Sequence, residues 1–285
     1  MILDISFCKY TGLGNDFILI DNREQAELVL TPNQVVQWCN RHFGIGADGV
    51  IFVLSAQDNG QIPTRIFNAN GSEAEMCGNG IRCLARFLSD LEGYSEVTYE
   101  FQTLAGVIST KVRNNELVTV NMGKPRILAR EVPTTLVDPD KEAINVPIDI
   151  DGQSYMITCV SMGPPHCVTF VSNVSEVDLE ELGPKFEYHP AFPKYTNINF
   201  VEIVKEDYLK MRVWERGVGV TLACGTGACA SVVAGVLTGQ SKRCATVELP
   251  GGCLEIEWSR DDNNLLMTGS AQKIFEGRVK NLTFI

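Results

Sequence analysis

The chain has 285 residues, 45% of them hydrophobic and 21% charged, the composition of an ordinary globular protein with room for two domains. Its net charge of −11, from 24 basic and 35 acidic residues, argues against nucleic acid as a partner. No stretch of the sequence is apolar enough for a transmembrane helix, and Met1-Ile-Leu-Asp-Ile-Ser reads as a strand rather than a signal peptide. The expectation is a cytoplasmic protein with no membrane partner. Ten cysteines in such a compartment stay reduced. There is no C-x-x-C, and only His42, His166 and His189 could supply imidazole, so neither a metal site nor a cofactor is expected.

Residues 4–22 predict strand, glycine turn, strand, with Asn15 in the turn. Residues 32–42 predict a helix with Thr31 as N-cap and Pro32 at its first position. Strands follow at Val50–Leu54 and Thr64–Asn68, and the polar stretch from Asn68 to Glu75 is a loop. After Cys77 the apolar spacing Ile81, Leu84, Ala85, Leu88 predicts a helix ending near Gly93. Strands are expected at Val97–Phe101, Val107–Val112 and Leu117–Asn121. Past Met122-Gly-Lys-Pro125 the order repeats, with strands at Ile148–Ile150, Ser154–Ser161 and Cys167–Phe170 and a short helix near Val177–Leu182. Then come strands Asn197–Val204 and Leu209–Trp214, a helix after Cys224, and strands Val247–Pro250, Cys253–Trp258 and Leu265–Gly269. Lys273–Ile285 is expected to return to the first half.

This pattern predicts an α+β fold of two pseudo-symmetric domains, residues 1–122 plus 270–285 and residues 123–269. Each is a curved, mostly antiparallel sheet wrapped around a central helix, with an active site in the cleft between them. The strongest local signal is duplicated. Cys77-Gly-Asn-Gly80 and Cys224-Gly-Thr-Gly227 each stand where a loop turns into a helix. There the orphan N–H groups and the helix dipole favour an anion, so a thiolate is expected to be stabilised. The remaining cysteines read mostly as small core residues.

Two thiols on opposite sides of one carbon can invert a stereocentre without a cofactor: a thiolate removes a proton and a thiol returns one to the other face. Helix N-termini aimed at an α-carboxylate stabilise the carbanion between those steps. The motifs resemble the diaminopimelate epimerase family over nearly the whole length, through Gly12-Leu-Gly-Asn-Asp-Phe17, Arg41–Gly49, Asn68–Cys83, Val120–Gly123, Glu215-Arg-Gly217, Ala223–Ala230 and Pro250-Gly-Gly252. The resemblance implies an isomerase that interconverts LL- and meso-2,6-diaminopimelate for lysine and peptidoglycan synthesis, without pyridoxal phosphate and as a homodimer. It further implies that Cys77 and Cys224 are the acid/base pair. Gly78, Asn79, Gly225 and Thr226 lend donors to the reacting carboxylate, and Asn15, Asn68 and Asn197 line the site. Glu215 and Arg216 hold the far amine and carboxylate, and His166 orients a group near one thiol.

Some positions depart from the family pattern. The family's Gly-Asn-Pro-His is Gly163-Pro-Pro-His166, its Asn-Ala-Asp-Gly is Asn68-Ala-Asn-Gly71, and its glutamate in Gly-x-Glu-Thr is Val220. Pro164 supports an alternative within the same reaction class, an amino-acid racemase of different or broader specificity. A thiol redox protein lacks the C-x-x-C it would need. A binding protein without catalysis leaves two intact thiol motifs unexplained.

Overall fold

A computed structural model describes residues 4–113 and 117–280, which fall into two compact units: residues 4–113, 117–120 and 269–280, and residues 121–268. Lys273–Lys280 of the expected C-terminal return lie in the first unit. Residues 281–285 lie outside the described residues.

The first unit contains β1 (Asp4–Gly12), β2 (Asn15–Asp21), α1 (Pro32–Cys39), β3 (Gly49–Val53), β4 (Ile62–Asn68) and β5 (Glu73–Ala74). These are followed by α2 (Gly78–Glu92), β6 (Val97–Thr103), β7 (Gly106–Val112) and β8 (Leu117–Asn121). The second has β9 (Val146–Ile150), β10 (Gln153–Ser161), β11 (Pro165–Phe170), α3 (Leu179–Glu187), β12 (Asn197–Lys205), β13 (Tyr208–Glu215) and β14 (Gly219–Val220). It continues with α4 (Gly225–Leu237), β15 (Cys244–Leu249), β16 (Gly252–Trp258) and β17 (Leu265–Ser270). β18 (Gln272–Lys280) pairs with β1 and completes the first unit.

The two units repeat one pairing scheme. In the first, β1–β2 is antiparallel, β2–β3 parallel, β3–β4 antiparallel, β4–β6 parallel and β6–β7–β8 antiparallel. In the second, β10–β11, β11–β12, β12–β13, β13–β15 and β15–β16–β17 run through the same alternation. In each, a helix opened by Cys-Gly-x-Gly lies between the fourth and fifth strands of the scheme, β4 and β6 in one and β13 and β15 in the other.

Helices cover both faces of the inner strands, and in the first unit β2 and β3 accordingly carry the unbroken apolar runs Phe17–Ile20 and Val50–Val53. Alternation divides them. Ile18, Ile20, Val50 and Phe52 pack with Val35 and Trp38 of α1, while Phe17 and Ile51 face Gly80 of α2. In the second unit Ile198 and Phe200 pack with Leu179 and Phe186 of α3, while Asn199 faces Gly227 of α4. Glycine at the fourth motif position has a steric cause: a Cβ on Gly80 would sit 2.8 Å from Ile51 Cδ1, and one on Gly227 2.6 Å from Asn199 Oδ1. α2 is amphipathic and stops at Gly93 in the left-handed conformation (φ 74°). α4, built of small residues, is buried almost all round.

Some boundaries differ from the sequence expectation. α1 has its Thr31 cap but ends at Cys39 rather than Arg41 or His42. Asn40 leaves the helix, and its side-chain oxygen accepts from the His42 and Phe43 amides, a local turn that competes with further helix. α3 starts at the Asp178 cap and carries Pro184 to finish at Glu187. Cys244 and Cys253 are exposed rather than core, and Cys8 is half-buried. They lie on β15, β16 and β1, where the side chains of a strand alternate between faces.

Candidate active site

Cys77 is the N-cap of α2, in extended conformation, and its Sγ accepts from Gly80 N at 3.4 Å. The Cys77 Sγ also donates to Asn15 Oδ1 at 3.8 Å. The same oxygen accepts from Asn79 Nδ2 at 3.3 Å. Asn15 Nδ2 in turn donates to Asp48 Oδ2 at 2.7 Å. The structure thus gathers Asn15, Cys77 and Asn79 in one place. Gly78 and Asn79 occupy the first two positions of α2, where backbone N–H groups have no acceptor within the helix. Asn68, at the exposed end of β4, donates its amide to Ser72 Oγ at 3.0 Å. Asn70 accepts from Ser72 N, so the departure at Asn70 preserves a tight turn.

Behind this thiol lies an ionic cluster that sequence reasoning did not single out. Asp16 pairs with Lys9 at 2.7 Å and with Arg41 at 2.6 Å, and Arg41 also reaches Asp48 Oδ1 at 2.7 Å. Burial works against the Asp16 carboxylate, but its bonds from Arg41 and Lys9 outweigh that and hold it below the usual carboxylate range. Lys9 also donates to the Gly46 carbonyl. The signal was present in the sequence as charged residues within glycine loops, but their mutual contact is a product of the β1–β2 and β2–β3 pairing.

Cys224 is the N-cap of α4 and is only 4% exposed. Its Sγ donates to Glu215 Oε2 at 3.0 Å and lies 3.5 Å from Thr226 Oγ1. The other Glu215 oxygen accepts from Thr221 Oγ1. The expected lowering of the thiol pKa does not hold for Cys224: burial, and then the Glu215 charge, push it well above its ordinary value. The helix dipole is real, but a desolvated thiol beside a carboxylate stays protonated.

His166 reaches Thr226 Oγ1 with Nε2 at 3.0 Å and faces Asn199 Nδ2 with Nδ1 at 3.1 Å. An amide NH2 only donates, so Nδ1 accepts and the ring proton lies on Nε2, donated to Thr226. Burial, with Arg216 adding to it, drops the His166 pKa to about 3. His166 is therefore a neutral donor. The chain Asn199–His166–Thr226–Cys224–Glu215 was not legible beyond its named members, because Asn199 carries no motif.

Asn197 and Arg216 are joined directly. Asn197 Nδ2 donates to the Pro165 carbonyl at 2.7 Å, and its Oδ1 accepts from Arg216 N at 2.9 Å. The Asn197 amide thereby braces the turn that presents Arg216, whose exposed guanidinium donates to Lys194 O at 2.9 Å. Glu187, a buried residue missed from sequence, supports the same turn by accepting from Gly217 N and Trp214 Nε1. Pro164 lies exposed in the turn between β10 and β11, and Val220 is partly exposed on β14. Among the described residues no group of three or more His, Cys, Asp or Glu side chains is placed to hold a metal ion, and no helix is long and apolar enough to cross a membrane.

The family model described as diaminopimelate epimerase matches residues 7–128 and 158–274. A diaminopimelate epimerase of Nostoc punctiforme is 58% identical over 277 residues, covering 96% of this chain and 99% of that one. Diaminopimelate epimerase 1 of a Nostoc strain is 60% identical over the same shares. Among solved structures, a hydroxyproline epimerase from Agrobacterium vitis superposes with a TM-score of 0.70 at 11% identity, covering 97% of this chain and 92% of that one. A predicted epimerase from Pseudomonas aeruginosa gives 0.67 at 16% identity, covering 98% and 100%. These two likenesses bear on the fold.

Proposed function

The chain belongs to the diaminopimelate epimerase family, and on that premise we propose that it interconverts LL- and meso-2,6-diaminopimelate by proton transfer at one α-carbon between Cys77 and Cys224. The observation that carries this reading is the repeated thiol N-cap, one per unit, each with its own hydrogen-bond acceptor.

In each turnover one sulfur, as thiolate, takes the α-proton; the C–H bond breaks and an S–H bond forms. The electron pair is spread into the substrate carboxylate, which accepts from backbone N–H groups at the helix starts, Gly78 and Asn79 at one and Gly225 and Thr226 at the other. The second sulfur, as thiol, gives its proton to the opposite face of the carbon. Glu215 is placed to accept the Cys224 proton when that thiol must act as base. This revises the role expected for Glu215 at the far end of the substrate and leaves the Arg216 guanidinium, a planar two-pronged donor, to take the distal carboxylate. Neutral His166 holds Thr226, whose hydroxyl can then donate to a Cys224 thiolate.

Asn15 and Asn68 are assigned to substrate contact by the family resemblance. The same reading includes a homodimer in the cytoplasm, serving lysine and peptidoglycan precursor synthesis. Sedimentation equilibrium reads the oligomeric state, and a monomer at micromolar concentration contradicts the dimer.

The test is incubation of the protein with LL-diaminopimelate and chiral separation of the products. Formation of the meso isomer, with no racemisation of a panel of other L-amino acids, is the expected result. The absence of meso product sinks the assignment. Because Pro164 has no side-chain donor, the broader racemase is the second reading; α-proton exchange on shorter L-amino acids at a comparable rate favours it.

A further inference from the structure

The acceptor geometry at Cys77 depends on which way one amide points. Asn15 has an NH2 on one side and a carbonyl on the other, and the two have opposite effects on a neighbouring sulfur. A carbonyl accepts from the thiol and favours S–H; an NH2 donates and favours the thiolate. In the structure the NH2 donates to Asp48 Oδ2 at 2.7 Å, which leaves Oδ1 for Cys77 Sγ and Asn79 Nδ2. Asp48 is suited to holding that choice. Ionised, it can only accept. Its Oδ2 takes both Asn15 Nδ2 and the Asp16 backbone N–H at 3.1 Å, and its Oδ1 takes Arg41.

We propose that Asp48 is a positioning residue for the Cys77 half-reaction: by binding the Asn15 NH2 it turns the Asn15 carbonyl, rather than the NH2, toward the sulfur. This rests on the reading of Cys77 as an acid/base group and adds to it the device that keeps Cys77 a ready proton donor. Asp48 itself touches neither the sulfur nor any reacting atom.

Its own position does not depend on its side chain. Asp48 N donates to Asp16 O at 2.9 Å and Asp48 O accepts from Ala69 N at 3.0 Å. The side chain is 40% exposed, so truncation admits water rather than sealing a cavity. The charged and titratable groups facing this neighbourhood include Lys9 on β1, Asp16 on β2, Cys39 on α1, Arg41 and Asp48 after α1, and Arg82 and Cys83 on α2. Loss of the Asp48 charge alone would also ease formation of a Cys77 thiolate. The charge-balanced pair Arg41→Gln/Asp48→Ala separates that field effect from amide orientation.

The experiment is the pH profile of Cys77 alkylation by iodoacetamide in the full-length protein, followed at the Cys77 peptide by mass spectrometry, beside epimerase kcat. In Asp48→Ala the freed amide can turn its NH2 to the sulfur. The expected result is alkylation about tenfold faster at fixed neutral pH, with kcat lowered about tenfold. The charge-balanced variant should retain most of both changes, and Arg41→Gln alone, which keeps the Asp48–Asn15 bond, should show neither. An Asp48→Ala alkylation profile that overlays the parent, whatever happens to kcat, overturns the proposal, as does a charge-balanced variant that returns to the parent profile. Should Asp48→Ala fail to fold, the charge-balanced variant is read against Arg41→Gln by the same criterion. The alkylation profile needs no substrate. A parent protein inactive on diaminopimelate therefore refutes the functional reading while this comparison still stands or falls by itself.

Discussion

Cys77 and Cys224 occupy the same place in two copies of one topology, yet their surroundings oppose each other. Cys77 is partly exposed and its sulfur donates to a neutral amide oxygen at 3.8 Å. Cys224 is buried and its acceptor is a carboxylate at 3.0 Å. A helix start is common to both, so the difference shows that the motif places a thiol while the neighbouring strands set what its sulfur meets. Glu215 reaches Cys224 from the end of β13, and Asn15 reaches Cys77 from the start of β2. An epimerase needs one base and one acid at any moment; in the proposed reading Glu215 draws the proton from Cys224 while the Asn15 carbonyl keeps Cys77 as S–H.

The largest effect expected from breaking this comparison is removal of either sulfur. Cys77→Ala and Cys224→Ala should each lower kcat for stereoinversion by at least about a thousandfold, with circular dichroism unchanged. Substantial turnover in either variant contradicts a two-thiol mechanism.

Glu215→Gln tests the asymmetry itself. The charge that helps hold Cys224 protonated is gone, so its alkylation should extend to lower pH, yet kcat should fall about a hundredfold because the proton has lost its acceptor. If the variant turns over as fast as the parent, Glu215 is a field source and not a proton acceptor. Thr226→Val makes a smaller change. The Thr226 hydroxyl lowers the Cys224 pKa, and without it the thiol should alkylate more slowly, with kcat reduced about tenfold. Faster alkylation contradicts the assigned hydrogen bond.

How much of this was legible from sequence differs by feature. The two thiol helix starts were, because Cys-Gly-x-Gly is a local signal whose glycine has a local cause, the approach of Ile51 and of Asn199. So was the succession of strands along the chain, since runs such as Phe17–Ile20 and Val50–Val53 are apolar and bounded by turn residues. The partners of the thiols were not. That Glu215 touches Cys224 depends on the reversal through β14, and that Asn197 spends its amide on Pro165 and Arg216 depends on the parallel register of β11 with β12. The depressed pKa expected for Cys224 failed because a helix terminus can be read from sequence, whereas burial and a distant carboxylate cannot.

The smallest effect concerns His166, which has no counterpart around Cys77 in the contacts described above. Its folded pKa of about 3 lies below the ordinary 6.5, so the unfolded chain binds the proton more readily. The neutral ring contributes stability that is complete above pH 6.5 and lost as the pH falls toward about 3. Denaturant unfolding across that window should show a slope of at most about 1.4 kcal/mol per pH unit from this group, absent in His166→Gln. An unchanged slope in the variant assigns the acid sensitivity to other groups.

The central claim is that one proton leaves on one sulfur and another arrives from a second. The most direct measurement is the reaction of LL-diaminopimelate in deuterated water at low conversion, with deuterium located by mass spectrometry in substrate and product separately. A thiol carries a single exchangeable proton, so the account predicts meso product bearing solvent deuterium at the inverted carbon while recovered LL substrate remains protonated there. Recovered substrate that gains deuterium as fast as product forms means that one group serves both faces, and contradicts the account.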